Sequence, residues 1–538
     1  MLTAGYAVMP RSQITYESRS KKGIPMINDV VIAGAGPNGL LLACELSLAG
    51  VARPIVLERL PEPAAEARAN GLVGQVVRML DRRGLYERIT GDTQPPRPAP
   101  AYMFAAMPLD LKLLGEDNPL YLLPVPQARL TEILAERAAE LGVEIRRGHE
   151  LTDFTQDEEA VTAEVAGPEG GYRIQARYLV GADGGHSVVR KRAGIAFPGV
   201  TKDNTVSRTV NAAPPADWID PATGALNVPG YGTIPPLMHH RTENGLFVYA
   251  TLPGRPPVVV TLEYGIPQDT TTPLTLAEMA QSIRRVLGVD VPLTPPTGDG
   301  PHLMRRGIGT NTRLAERFRD RRVLLVGDAA HVHSAAGGPG LNLGLQDTVN
   351  LGWKLAAALQ DDARAGLLDT YEAERRPVGE RVIMHTQAQS ALTAPGPDVT
   401  ELRKLFGEML TEPRNIKLIA DTMAGSDVRY ETGAHPLVGL FAPDLDLRTA
   451  NGPIRLAQLT RDARPLLIDM TEGGLPTDGP WDVVRTQAQP SSQASALLLR
   501  PDTYVAWATS SASPDDKEID ALRAAADRWF GKAVSTSR

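Results

Sequence analysis

Apolar runs and amphipathic stretches alternate through the first part of the chain. Asp29 to Ala33 (DVVIA) is short, apolar and β-branched, the composition of a strand buried in a parallel sheet. A glycine-rich turn follows. Leu40 to Ala49 (LLLACELSLA) then predicts a helix packed on that sheet, and Arg53 to Leu57 (RPIVL) a second strand ending at Glu58. Together they form a βαβ unit of about 30 residues. Arg129 to Leu141 predicts a further helix stopped by Gly142, Glu144 to Arg146 resumes as strand, and strand patterns dominate from about Val161 to Val180.

Residues 200–300 are rich in Pro, Thr and Gly, with strand-like runs at Leu246–Leu252 and Val258–Tyr264. They predict a second, mainly antiparallel sheet inserted into the first domain. Arg322 to Val326 returns to the parallel sheet, and a long helix pattern covers about Leu345 to Leu359. Pro395, Gly396 and Pro397 mark a boundary. Beyond it, a helix at Val399–Met409, strands at Pro465–Asp469 and Ala496–Leu499 and a terminal helix at about Lys517–Trp529 predict a separate α/β domain. The expected division is a disordered extension over 1–25, one discontinuous domain of 26–199 with 301–394, an inserted sheet of 200–300 with parts of 96–124, and a C-terminal domain of 395–538.

Composition narrows the function. The 538 residues are 42% hydrophobic and 22% charged, an ordinary globular mix. The net charge of -7 provides no basic footprint for nucleic acid and no polybasic membrane patch. No apolar stretch reaches the roughly 18 residues of a membrane span, and the N-terminal stretch lacks the apolar core of a signal peptide. The single cysteine, Cys44, excludes an intrachain disulfide, a CxxC pair and a cysteine-based zinc site. A reducing cytoplasm is the expected compartment. His331 and His333 have no carboxylate or cysteine cluster beside them, so no metal site is expected.

Three glycine-and-aspartate motifs each follow a predicted strand. In Gly34-Ala-Gly36-Pro37-Asn38-Gly39, Gly34 permits a tight turn, Gly36 lets main chain approach a pyrophosphate, and Gly39 allows close helix–strand packing. The helix N-terminus offers free N–H groups to phosphate. Glu58 stands about 20 residues on, where an acid accepts from ribose hydroxyls and disfavours a 2′-phosphate. In Gly181-Ala-Asp183-Gly184, Asp183 is placed to accept hydrogen bonds near a ribose or diphosphate. Arg190, shortly after, either balances phosphate charge or pairs with Asp183. In Gly327-Asp328, the aspartate is placed to accept from a flexible polyol. The following Gly337-Gly338-Pro339-Gly340-Leu341-Asn342 opens the long helix and can wrap a flat ring with backbone amides, its dipole favouring negative charge there. In this order the three motifs point to one ligand with a diphosphate, a ribose and a second polyol chain, which is FAD.

With these motifs the chain resembles FAD-dependent aromatic hydroxylases of the p-hydroxybenzoate hydroxylase fold. It is most similar to the actinobacterial aromatic polyketide hydroxylases. The stretches that carry the likeness are DVVIAGAGPNGLLLACEL, VPQARLTEILAERA, YLVGADGGHSVVRKRAGI, RVLLVGDAAHVHSAAGGPGLNLGLQDTVNLGWKLA and YEAERRPVG, within about Asn28 to Val378. The likeness extends more weakly to the C-terminus. It implies an α/β Rossmann-like FAD-binding domain, an inserted antiparallel-sheet substrate domain and a C-terminal thioredoxin-like domain, here without CxxC.

The resemblance also implies residue roles. Gly34, Gly36, Pro37, Asn38 and Gly39 would meet the FAD diphosphate, and Glu58, with Arg59 beside it, the adenosine ribose. Arg68 would hold FAD and guide the nicotinamide, and Gln127 would reach the ribityl or ring side. Asp183 would serve both FAD and NAD(P)H, and Asp328 the ribityl chain. Pro339, Gly340, Leu341 and Asn342 would line the isoalloxazine. Gln75 and Pro339 depart from the arginine and glutamine that many relatives carry.

The implied activity is a monooxygenase. NADPH or NADH reduces FAD, O2 adds at flavin C4a as a hydroperoxide, and one oxygen atom passes to a polycyclic aromatic polyketide. The substrate attacks the peroxide itself, so no catalytic side chain is nominated. Baeyer–Villiger insertion on a related polyketide stays open, as does a flavin-retaining protein that binds polyketide without turnover. A monomer and a homodimer are equally compatible. Arg305, Arg306 and Arg313 are candidates for a substrate or nicotinamide role or for a structural face. Tyr102, Met103, Phe104, Met107, Tyr121, Tyr231 and Met238 are candidates for a substrate cavity or for core.

Overall fold

A computed structural model describes residues 27–531, apart from 52–53, 64–69, 252–255, 266–271, 298–301, 335–337, 361–363, 450–451 and 488–492. The expected N-terminal extension and Arg68 lie outside the described residues.

Along the chain, β1 (Asn28–Ala33) leads through α1 (Pro37–Leu48) to β2 (Ile55–Glu58). Helix α2 (Gln127–Glu140) precedes β3 (Glu144–Arg147), and the long β4 (Gly170–Gly181) turns into α3 (Val188–Arg192). The chain then builds a second layer with β5 (Gly199–Asn211), β6 (Gly245–Ala250), β7 (Val258–Tyr264), α4 (Leu276–Leu287) and β8 (Met304–Leu314). It returns as β9 (Val323–Leu325), followed by α5 (Pro339–Leu359) and α6 (Thr370–Thr393). Helices α7 (Pro397–Met409) and α8 (Pro413–Ala424) come next. The last elements are β10 (Leu466–Asp469), β11 (Asp482–Arg485), β12 (Ala496–Leu499), β13 (Val505–Thr509) and α9 (Asp516–Phe530).

In the first sheet, β9, β4, β1, β2 and β3 lie side by side and all parallel. Its inner strands are apolar on both faces because helices cover both, so Val30 to Ala33 and Val323 to Val326 are buried. The register pairs Ala33 with Gly181 and Gly181 with Leu325. Three strand ends far apart in sequence therefore stop at one level. The turns after β1, β4 and β9 stand side by side at the carboxyl edge, where open α/β sheets bind ligands.

The second sheet is antiparallel, with β6, β7, β5 and β8 as neighbours. It extends past the expected boundary at residue 300 to include β8. That strand has little apolar content, so Arg305 and Arg306 read as a basic group rather than as strand. Helix α4 covers one face. Thr275 caps it by accepting from the Glu278 N–H at 3.1 Å, and Gly288 closes it in the left-handed region. Its Met279, Ile283 and Val286 pack with Phe247, Tyr249 and Val259. Each such side chain contributes about 1.5–3 kcal/mol of burial.

In the C-terminal sheet β11 pairs parallel with β10, and β12 and β13 continue antiparallel. Trp353 of α5 packs in one cluster with Leu498, Leu522 and Trp529. Beneath that contact lies a buried ionic cluster. Lys354 Nζ and Arg500 both reach Glu374 at 2.6–2.8 Å, and Arg500 also pairs with Asp502 at 2.5 Å. Helix α8 packs instead on the hairpin of Ala101–Phe104 and Met107–Asp110, through Ile416, Ala420 and Met423.

Candidate cofactor and active site

The first turn is shaped by contacts that only glycine allows. Gly34 adopts φ +108°, and a Cβ there would meet the Ala182 carbonyl oxygen at 2.5 Å. A Cβ on Gly39 would lie 1.9 Å from the Gly34 carbonyl oxygen, which is the close helix–strand approach expected. Gly36 differs: an added Cβ would meet nothing within 4 Å. Space for a phosphate lies beside it. Pro37 occupies the first position of α1, and the helix has no side-chain cap, so its leading N–H groups are free to face an anion.

Asn38 links this turn to the other motifs. Its amide is so close to Gly327 and Gly344 that a Cβ on either would clash with it, at 1.9 and 2.4 Å. Its Oδ1 is buried without a protein partner. Glu58, half-buried at the end of β2, accepts from the Ala35 N–H and the Leu60 N–H, both at 2.9 Å. The carboxylate thereby faces the phosphate turn. Arg59 is exposed beside it.

In the second motif Arg190 makes no direct pair with Asp183. Asp183 Oδ2 accepts from the Val188 and Val189 N–H groups at 2.7 and 3.1 Å, which fixes the start of α3. Its Oδ1 is buried with no protein partner. Arg190 donates to the Ala329 and Gly185 carbonyls and stacks on Phe197, so it ties the second motif to the third rather than pairing with Asp183.

In the third motif Asp328 is exposed on the turn after β9, while the residues around it are buried. Gly327 N–H and His331 Nε2 both approach Asp347 Oδ2, at 3.3 and 2.6 Å. Arg375 holds the other oxygen at 2.7 Å and reaches the Tyr430 hydroxyl at 3.0 Å. Burial alone would raise the Asp347 carboxyl, but Arg375 and His331 outweigh it and hold it below its ordinary value. His331 is thus a structural anchor of the aspartate turn.

Helix α5 begins at Pro339, six residues before the apolar pattern predicts, with Gly338 at φ +68° as its N-cap. Proline is preorganised for that first position. The helix has no side-chain cap, so its first N–H groups also face outward. Pro339, Gly340, Leu341 and Asn342 form its first turn. Asn342 is pinned: its Oδ1 accepts from the Val73 N–H at 3.1 Å and its Nδ2 donates to the Gly338 carbonyl.

Other candidates fall as follows. Gln127 starts α2 and is half-buried. Gln75 is buried and accepts from Arg78 at 3.2 Å. Arg306 is held by Glu278, Arg313 donates to the Phe197 carbonyl and to Thr201, and Arg305 is exposed. Phe104 and Met107 are core. Tyr231 bonds His240 at 2.6 Å, and Tyr121 lies under Arg78. Cys44 is buried in α1, as packing. The cross-chain ties made by Arg190, Asp347 and Asn342 escaped the sequence reading, since nothing local marks a side chain whose partner lies elsewhere in the chain.

These features fit FAD. Two uncapped helix N-termini, an open space at Gly36, and two buried acceptors on adjacent turns with no protein donor supply what a diphosphate and a polyhydroxyl chain require.

Comparison with known proteins agrees with this geometry. Residues 28–386 match the family model described as FAD binding domain, and residues 435–533 the one described as aromatic-ring hydroxylase, C-terminal. The chain is 40% identical over 517 residues to the 12-dehydrotetracycline 5-monooxygenase/anhydrotetracycline 6-monooxygenase of Streptomyces rimosus, covering 94% of this chain and 99% of that protein. It is 37% identical to the rifampicin monooxygenase of Streptomyces venezuelae, over 94% of this chain and 99% of that one. Among solved structures, CabE, an aromatic hydroxylase from angucycline biosynthesis, superposes with a TM-score of 0.81 at 33% identity, covering 94% of this chain and 100% of CabE. The chain belongs to the family of FAD-dependent monooxygenases that join this FAD-binding domain to an aromatic-ring hydroxylase C-terminal region.

Proposed function

We propose that the protein is an NAD(P)H-dependent hydroxylase that places one oxygen atom of O2 on a polycyclic aromatic polyketide. The observation that carries this reading is the meeting of the three motif turns at one sheet edge, beneath the uncapped start of α5. The named substrates of the relatives, tetracycline precursors and rifampicin, supply the substrate class.

In this reading Gly34, Gly36, Pro37, Asn38 and Gly39 hold the FAD diphosphate at the start of α1, with Glu58 and Arg59 on the adenosine side. Asp183 serves both FAD and NAD(P)H, Asp328 accepts from the polyol chain, and Gln127 reaches the ribityl or ring side. Pro339, Gly340, Leu341 and Asn342 lie along the ring. FAD, when bound, supplies the electron transfer from nicotinamide and the activation of oxygen. The protein orients, excludes water and shapes the field. The partial positive charge of the α5 N-terminus stabilises an anion at the ring edge, and the aspartates fix the chain that carries it.

The inserted sheet and the C-terminal sheet each have an apolar cluster of their own. In this reading residues 26–199 with about 315–394 bind FAD, 200–314 form the substrate sheet, and 395–538 include the thioredoxin-like C-terminal domain. The single buried cysteine suits a cytoplasmic enzyme.

The test is anaerobic mixing of the FAD-loaded protein with NADPH, with and without a polyketide panel that includes anhydrotetracycline, followed at flavin absorbance. Reduction accelerated by a panel member, with a hydroxylated product once O2 is admitted, is the expected result. A ring-expanded product would replace hydroxylation by Baeyer–Villiger chemistry. Reduction that no panel member accelerates would remove the polyketide reading.

A further inference from the structure

We infer that His385, on α6, presents a neutral Nε2–H to the substrate and holds an acceptor oxygen of its aromatic core beside the first turn of α5. The inference rests on the hydroxylase reading above and adds a positioning residue to it.

The tautomer follows from a chain of fixed roles. The Ala105 backbone N–H can only donate, and it lies 3.2 Å from Gln389 Oε1. The Gln389 amide is thereby oriented, and its Nε2 faces His385 Nδ1 at 3.3 Å. An amide nitrogen can only donate, so Nδ1 is the acceptor and the ring proton sits on Nε2. This relay joins the hairpin turn at Ala105, where φ is +51°, to α6. Arg403 steadies the same turn from α7 by donating to the Ala105 carbonyl.

The surroundings assign Nε2 a ligand rather than a protein partner. His385 is 4% exposed, yet among the described residues no group accepts from its Nε2. The ring forms part of a cleft between α5, α6 and α8, with Pro339 and Asn342 from α5, Val378 and Val382 from α6, and Met423 from α8. Nε2 is not one of the sealed, unpartnered polar atoms of the described residues, so it opens to this cleft, where an acceptor on a ligand can reach it. Burial, with His333 and Arg381 adding to it, pushes the ring down to about 4, and Arg381 is itself paired with Asp427. His385 is therefore a fixed neutral donor, suited to a phenolic or ketone oxygen and unsuited to delivering a proton. Pro339, which also lines the cleft, belongs to the turn proposed to line the flavin ring, so an oxygen held by His385 would lie close to that turn.

The experiment measures binding of anhydrotetracycline to the FAD-loaded protein by flavin fluorescence, for wild type, His385→Leu, His385→Gln and Gln389→Met. Loss of the donor in His385→Leu is expected to weaken binding about tenfold with flavin content unchanged, while Tm falls somewhat because Gln389 loses its acceptor. His385→Gln, which keeps an N–H near the Nε2 position, is expected to stay within about threefold of wild type. Gln389→Met leaves the ring but frees its tautomer, and falls between. If His385→Leu fails to fold, the Gln389→Met comparison with wild type decides in its place. Equal binding by wild type and the folded variants would overturn the role of His385 and leave the hydroxylase reading standing. No binding by wild type would overturn the tetracycline-like substrate class and the inference built on it.

Discussion

Asn38 and Gly344 pack against each other so closely that a Cβ on Gly344 would come within 2.4 Å of the asparagine Nδ2. One residue lies in the phosphate turn and the other inside α5, so this contact sets the distance between the two helix starts proposed to hold FAD. Gly344→Ala is expected to displace the amide and destabilise the protein by about 1–3 kcal/mol, as overpacking does. Asn38→Ala in the same chain should restore most of the loss, because the obstacle is the side chain. Melting temperatures of the single and double variants measure this, and purely additive effects would show that the two residues are not coupled.

Glu58 uses both oxygens to hold the backbone around the phosphate turn, at Ala35 and Leu60. Glu58→Ala is expected to raise the Kd of the apoprotein for FAD about 10- to 100-fold, the effect of losing charge-assisted acceptors. Titration of apoprotein with FAD reads it directly. An unchanged Kd would confine Glu58 to shaping the loop.

The buried cluster under the C-terminal sheet predicts an acid limb in stability. Burial alone would raise the Glu374 carboxyl, but Arg500 and Lys354 outweigh it and hold it at about 2, below its ordinary 4.5. A carboxyl depressed in the folded state contributes stability above its unfolded value, and that contribution is lost as pH falls through the folded one. Tm should therefore drop between pH of about 4.5 and about 2. Glu374→Gln should cost about 3–5 kcal/mol at neutral pH, since it leaves buried cations uncompensated, and should flatten that limb. A variant with the wild-type acid limb would assign the limb to other carboxylates.

Cys44 should be chemically silent in the folded protein. Burial, aided by Glu45, pushes its thiol up to about 12, and the residue is 2% exposed. A disulfide reagent at pH of about 8 is expected to label none of it until denaturant is added. Labelling of the native protein would reveal opening of α1.

The elements that could be read ahead of the structure share one property: their signal is local. The strands β1 and β9 and the end of β4 are apolar because both faces are covered there, and the glycines after them are backbone requirements written at a single position. Strand β8 was not legible, because Arg305, Arg306, Thr310 and Asn311 pair with β5 through backbone groups that any residue carries. The start of α5 was misplaced for a related reason. Glycine and proline around Gly338 and Pro339 read as a loop, whereas the left-handed glycine and the N1 proline open a helix there.

The sequence by itself determined the cofactor class and the layout of the sheet that presents it, because a glycine turn after a buried strand leaves the backbone few alternatives. Only the tertiary structure decided which polar side chains turn inward. Arg190 reaches Ala329, Asp347 gathers His331 and Arg375, and Gln389 orients His385 from the Ala105 hairpin. A buried charge or amide persists only where a partner meets it, and those partners come from other parts of the chain.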